Sequence, residues 1–326
     1  MTRLSPEFES ILGKYEKHKL DTYRVAELLG DDYVFTEYGD DKKDNRYRDL
    51  INCGTFLEFS KEDTAQGNIY HLKASNFCRQ RVCPMCQFRK SEKMFVEVLR
   101  VVQSLQNDYR FLHMVLTVPN SRYERELVTS VRLLYKAFGY LISHGKPKKA
   151  FKGILRCLEV SYNYDNDTYH PHLHCLVAVT PSYFNDTKVY ISHEHLREIW
   201  TKAVSWAIDR LGDSADFARS EHLLQCSIRA CKEGDYRGVA EVCKYCVKPL
   251  DLDKTAKSVQ NKRVILALFH VLKGTRFVQK YGIFKRLLST SIDEDGEEGS
   301  ITTSEEGDSV AFLWDSATMQ YRSDRH

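Results

Sequence analysis

Residues 169–180 read YHPHLHCLVAVT. Side chains alternate between the two faces of a strand, so His172 and His174 share one face while Leu173, Cys175 and Val177 take the other. The apolar run around them reads as a strand held in a folded core. Histidines packed in a core usually come singly. Two imidazoles in register are instead a compact pair of divalent-metal ligands. His170 has the same parity but precedes Pro171, at the start of the strand. A third ligand is needed, and Glu159, in RCLEVSY, is the best carboxylate on a neighbouring strand. Two histidines and a carboxylate would leave positions open for a phosphate bound through Mg²⁺ or Mn²⁺.

Working outward, Arg110–Val118 and Gly153–Tyr162 also read as strands, linked by a helix over Glu124–Ser143 that His144-Gly145-Lys146-Pro147 ends. Upstream, Asn52–Ser60 and Ile69–Ala74 alternate like strands. Arg89–Leu105 is an amphipathic helix with Met94, Val98, Val101 and Leu105 on one side, and Phe8, Ile11, Leu12 and Tyr15 have helical spacing near the N-terminus. Downstream, helices are expected over Ser192–Leu211 and over Tyr236–Lys248, the second closed by Pro249. Strands separated by helices predict an α+β fold, with an antiparallel sheet at least as well supported as a parallel one.

On the helix over 236–248, steps of about 100° per residue place Val239, Val242, Cys243 and Cys246 on one apolar stripe. With Glu241 at the origin, Tyr245 falls near 40°, Lys248 near 340° and Lys244 near 300°. That polar face gathers a phenol, a carboxylate and two ammonium groups. Nearby positive charge favours a phenolate, which is how a tyrosine nucleophile is activated.

CRQRVCPMC sets Cys78, Cys83 and Cys86 at Cys-x4-Cys-x2-Cys spacing, with Cys53 upstream in the expected strand INCGTF. Four thiolates satisfy a closed tetrahedral Zn²⁺ site, and the neighbouring arginines are too polar for a buried trio of free cysteines. Either Cys53 or His71 would complete the set. Cys226, Cys231, Cys243 and Cys246 repeat the spacing, but the helical angles bury two of them and argue against a second zinc.

Composition narrows the function classes. The 326 residues are 42% hydrophobic and 29% charged, which excludes a wholly disordered chain. No apolar run approaches a membrane span, and the polar opening MTRLSPEFESILGKYEKHK lacks the apolar stretch of a secretory signal, so a cytoplasmic protein without membrane contact is expected. In that setting ten cysteines suggest metal, structural thiols or redox chemistry before disulfides. Residues 291–326 hold ten acidic and two basic residues; the rest carries 46 basic against 35 acidic, a net of +11. A basic body with an acidic tail suits a protein that binds a polyanion.

Together these segments resemble a known family. HPHLHCLVAV is similar to the His-hydrophobe-His motif of HUH endonucleases, and EVCKYCVKPLD resembles the nucleophile helix of rolling-circle plasmid replication initiators. The NFCRQRVCPMC block, the HMVLTVPN strand and the late LKGTRFVQKYGIFK complete the resemblance, in family order, from about residue 45 to 286. In the HMVLTVPN strand the chain departs from the family at His113, where a hydroxyl residue is usual, and keeps Thr117.

The resemblance implies a central antiparallel sheet flanked by helices, with both histidines on a central strand. It assigns His172 and His174 to the catalytic Mg²⁺ or Mn²⁺, with Glu159 as third ligand by a looser match. Tyr245 is matched to the DNA-cleaving tyrosine and Glu241 to the carboxylate that activates water at termination. Lys244 or Lys248 would neutralise phosphate or lower the tyrosine's pKa.

The implied activity is site-specific nicking and joining of single-stranded plasmid origin DNA through a 5′-phosphotyrosine. No Walker-type glycine loop occurs, so a host helicase and DNA polymerase are the implied partners. The choice between monomer and homodimer stays open. Rival readings are a relaxase or transposase of the same chemistry, and a zinc-stabilised DNA-binding regulator without catalysis. The expected organisation is a helical segment over 1–50, a cysteine-rich zinc module over 51–95, a nuclease domain over 96–290 and an acidic, disordered tail over 291–326.

Overall fold

A computed structural model describes residues 5–30, 46–64, 67–219, 224–232, 234, 236–245, 258–288 and 309–323. In chain order the elements are α1 (Pro6–Leu29), α2 (Arg46–Asn52), β1 (Phe56–Thr64), β2 (Gly67–Ser75), α3 (Pro84–Leu105), β3 (Arg110–Thr117), α4 (Glu124–Ser143), α5 (Gly145–Ala150), β4 (Gly153–Asn163) and β5 (Thr168–Val179). They continue with α6 (His193–Leu211), β6 (Cys226–Ala230), α7 (Arg237–Tyr245), α8 (Ser258–Leu272), β7 (Val278–Gly282), α9 (Ile283–Leu287), β8 (Ser309–Asp315) and β9 (Gln320–Ser323). The chain forms two compact units: residues 1–89, 257–265 and 295–326, and residues 90–256 and 266–294. Among the described residues, no helix is long and apolar enough to cross a membrane.

The first unit is built on a four-stranded sheet in the order β2-β1-β8-β9, each neighbouring pair antiparallel. Helix α1 begins at Ser5, whose hydroxyl accepts from the Phe8 amide, with Pro6 in the first turn where a missing N–H costs nothing. Its Phe8 and Tyr15 rings meet Phe59 of β1 edge-on, and Phe8 also meets Phe312 of β8. The sheet corrects the expectation of a disordered tail over 291–326. Residues 309–323 form β8 and β9 because the apolar VAFLW run pairs with β1 and buries Phe312. The acidic stretch 291–308 lies outside the described residues. A second correction concerns Cys53, which sits in the turn between α2 and β1; Gly54, with φ of +66°, ends any strand there.

The second unit carries a five-stranded sheet, β6-β3-β5-β4-β7, antiparallel throughout, with the histidine strand β5 at its centre. One face packs Leu155, Cys157, Leu176 and Ala178 against Met94, Val98 and Val102 of α3 and Val239, Val242 and Cys243 of α7. The stripe expected on α7 is therefore the buried one for its described members, while Cys246 lies outside the described residues. The opposite face is covered by α4, which also packs against α6. Helix α4 spans the residues read from the sequence. Glu126 accepts from the Arg122 and Tyr123 amides at its start, and the chain breaks away at His144. Of the described cysteines eight are not disulfide-bonded, whereas Cys157 is, which departs at that one position from the expectation of metal, structural thiols or redox chemistry rather than disulfides.

Candidate active site

Antiparallel register decides what meets on the sheet. His172 of β5 lies opposite Glu159 of β4 and Thr117 of β3, and His174 lies opposite Cys157 and Val115. The three predicted ligands therefore share one face. Glu159 Oε2 is 2.6 Å from His172 Nε2 and 2.9 Å from His174 Nε2. Glu159 and His174 are buried, and His172 is nearly so. The His172 Nδ1–H faces the His170 carbonyl at 3.0 Å, which leaves a lone pair on Nε2. Two imidazole lone pairs and a carboxylate oxygen converging in a dry pocket repel one another unless a cation joins them. Ligand bonds of about 2.0–2.2 Å place such atoms roughly this far apart, so the donor set fits a divalent metal. When the two Nε2 atoms carry protons in place of a metal, burial still opposes charge on Glu159, but the hydrogen bonds and positive charge of His172 and His174 outweigh it and bring the carboxyl down to about 2.

His113 of β3 joins the cluster from the same face. Its Nε2 is 3.2 Å from His174 Nδ1, and the two rings stack. Burial, reinforced by His174 and Arg229, pushes His113 down to about 4 against the pull of Glu241. It is then neutral at pH 7 and accepts the His174 Nδ1–H, so that His174 Nε2 turns a lone pair toward the Glu159 side of the cluster. Arg229 of β6 sits opposite His113 in register and is exposed on this face, where its charge is available to a phosphate.

Helix α7 packs over the same face and carries Glu241 and Tyr245. Glu241 is half-buried and lies close enough to His113 and His174 for its charge to raise proton affinity in both. Tyr245 is the last residue of the helix; its side chain and that of Lys244, and Lys248 altogether, lie outside the described residues. Of two other tyrosines, Tyr236 packs against the apolar core, and the Tyr281 ring meets that of Phe138 at a tilt on the far face of the sheet from the metal-ligating group, where burial raises its pKa.

In the first unit Cys53, Cys78, Cys83 and Cys86 bring their sulfurs together, at 3.4 Å between Cys53 and Cys83, 3.5 Å between Cys53 and Cys86, and 3.7 Å between Cys78 and Cys86. A tetrahedral site with zinc–sulfur bonds of about 2.3 Å has edges near 3.8 Å, so four thiolates fit. Amides of Cys78 and Arg79 donate to the Cys53 and Cys86 sulfurs, as thiolate acceptors would require. The alternative ligand His71 is on the surface of β2, paired with Glu62. Lys19 of α1, fully buried, donates from Nζ to the Ile51 and Cys53 carbonyls and brings positive charge beside the thiols. Among the described residues the second cysteine set forms no comparable cluster.

The Replication protein family model matches residues 69–325. This chain belongs to the Replication protein family. The "Protein rep" of Streptococcus pneumoniae serotype 2 is 28% identical over 95% of this chain and 94% of its own length. That of Lactiplantibacillus plantarum is 30% identical over 88% and 84%. A "Replication protein" of Staphylococcus aureus is 25% identical over 71% of this chain and 96% of its own. No solved structure matches. The family is one of plasmid replication initiators. Its match takes in Cys78, Cys83, Cys86, the Glu159–His172–His174 group and α7, but not α1 or Cys53.

Two residues of this replication protein's site were not assigned a role from sequence. His113 stood out only as a departure from a motif, and Arg229 carried no motif at all. Both gain their place through the β6-β3-β5 register, and short-range spacing carries no trace of it.

Proposed function

We propose that this chain starts rolling-circle replication of a plasmid by nicking, and later rejoining, one DNA strand at the origin in the cytoplasm. What supports the reading is the convergence of Glu159, His172 and His174 on one oxygen-and-nitrogen pocket beneath the helix that bears Glu241 and Tyr245. Glu159, His172 and His174 would hold Mg²⁺ or Mn²⁺, which supplies a positive charge against the scissile phosphate. His113 keeps His174 in the tautomer that presents Nε2. Tyr245 gives its phenolic proton to solvent and attacks phosphorus in line. The bond from phosphorus to the 3′ oxygen breaks, that oxygen takes up a proton, and the 5′ phosphate stays on the tyrosine. Lys244 and Lys248 favour the phenolate and Arg229 offsets phosphate charge. The freed 3′-hydroxyl primes the host polymerase, with unwinding left to a host helicase. At termination Glu241 takes a proton from water so that a second cut proceeds by hydrolysis. Cys53, Cys78, Cys83 and Cys86 would hold a structural Zn²⁺.

The test is incubation of the full chain with single-stranded origin DNA and Mn²⁺, resolved on a denaturing gel. A shortened strand ending in a 3′-hydroxyl and a protein-linked fragment are expected, and both should vanish in EDTA or with His172→Ala. Tight binding without cleavage would replace this reading with the non-catalytic regulator.

A further inference from the structure

Alternation along β4 puts Arg156 on the opposite face of the sheet from Glu159. Arg156 is 1% exposed, an unusual place for a group that stays charged at any physiological pH. Its guanidinium carbon lies 3.9 Å from the centre of the Tyr135 ring and 5.4 Å from that of Phe138, both on α4. Those ring faces hold part of the charge. Two guanidinium nitrogens, Nε and Nη2, have no hydrogen-bond partner among the described residues. Among the described residues no carboxylate answers the charge, although a buried cation ordinarily has one.

Arg156 lines a cavity of about 560 Å³, whose wall also includes Arg132 of α4, His270 of α8, and Lys273 and Arg276 in the turn before β7. Arg132, Lys273 and Arg276 are exposed at the surface. Among the described residues, no aspartate or glutamate is part of the lining. His270 pairs instead with Glu124 at 3.1 Å. The turn is held in shape by the Tyr135 hydroxyl, which donates to the Arg276 carbonyl at 2.6 Å, and by the Thr275 hydroxyl, which donates to the Val271 carbonyl at 2.8 Å. Three surface cations around a buried, unanswered guanidinium form a built site for an anion. A guanidinium fork matches a tetrahedral oxyanion, and the cavity is several times larger than one ion needs.

We propose that this cavity is a second phosphate site, taking the phosphate of a nucleotide unit on the sheet face opposite the metal-ligating group. It does not rest on the nicking mechanism, because the scissile phosphate belongs to the other face. The same chemistry has two sources, a free nucleotide or one unit of a DNA strand backbone.

The experiment measures binding of the full chain to three probes at fixed ionic strength: inorganic phosphate, thymidine 5′-phosphate, and an oligothymidylate without terminal phosphate. The variants are Lys273→Glu, Arg276→Glu and Arg156→Met, with Lys136→Glu, an exposed α4 charge outside the cavity, as control. Either of the first two should weaken binding at least tenfold beyond the control while leaving the nicking rate at saturating DNA within twofold. Loss confined to thymidine 5′-phosphate and inorganic phosphate identifies a free nucleotide as the occupant. Loss for the oligonucleotide, with thymidine 5′-phosphate competing for it, identifies the backbone. If all three probes bind the cavity variants as they bind Lys136→Glu, the proposal is overturned. If Arg156→Met folds and binds like wild type, Arg156 serves only to pack on its rings and the proposal is equally overturned.

Discussion

Gly238 lies in the first turn of α7, where the helix touches the sheet. A Cβ built there would stand 2.5 Å from Cys231 Sγ, 3.7 Å from Cys231 Cβ and 3.8 Å from His113 Cβ. Only the first is a clash, and relieving it requires roughly 1 Å of movement to reach ordinary contact. Gly238→Ala therefore sets two effects against each other. Alanine favours a helix by about 1 kcal/mol over glycine. Forcing a methyl into a filled space costs about 1–3 kcal/mol. The net is a loss of roughly 1 kcal/mol, or a Tm lower by about 2–4 °C for a unit of this size. The kinetic effect should be larger than the thermal one. Helix α7 carries Glu241 and Tyr245, and a displacement near 1 Å at a reacting group costs on the order of 100-fold. The assay is single-turnover cleavage of origin DNA beside thermal unfolding, for Gly238→Ala, Cys231→Ala and the double variant. Cys231→Ala removes the clashing sulfur and leaves only the 3.7 Å contact, so the double variant should cleave within about threefold of Cys231→Ala and unfold no earlier. A Gly238→Ala protein with raised Tm and unaltered cleavage would refute the close approach. A double variant as slow as the single one would refute its cause.

Three further outcomes are expected. His113→Ala leaves His174 Nδ1 without its acceptor, so Mn²⁺ affinity should fall about 10–100-fold, or roughly 1.4–2.7 kcal/mol, by calorimetric titration; unchanged affinity would remove His113 from the site. Glu241→Ala should keep the rate of the first nick but lose hydrolytic release, giving single-stranded products longer than one plasmid. If nicking and release fall together, Glu241 acts at the first step. Cys83→Ser should lower zinc content and Tm together, and wild-type protein free of zinc by elemental analysis would reject the cluster as a zinc site.

Legibility in the sequence followed the range of the interactions. Helix α4 was read to the residue because its start and its break are signalled locally, by Glu126 reaching back to two amides and by His144-Gly145. The facing of His172 and His174 follows from alternation alone, and Glu159 was found because β4 happens to pair with β5 in the register that brings them opposite. INCGTF looks apolar and so predicts a strand at Cys53, although Gly54 carries the opposite signal. Strands β8 and β9 are hidden in the sequence because the acidic composition of 291–308 masks VAFLW, whose partner, β1, lies some 250 residues earlier. His113, Arg156 and Arg229 gain meaning only from what stands beside them on the sheet. No local pattern in the sequence records that.

The central claim is that the hydroxyl of Tyr245 becomes bonded to DNA. The direct measurement is peptide mapping of the covalent adduct formed by the full chain on single-stranded origin DNA with Mn²⁺, by mass spectrometry after nuclease digestion. The account predicts a nucleotide phosphate on the peptide containing Tyr245, and no adduct from Tyr245→Phe even though that protein still binds the DNA. An adduct on Tyr236 or Tyr281, or cleavage by Tyr245→Phe at the wild-type rate, would contradict it.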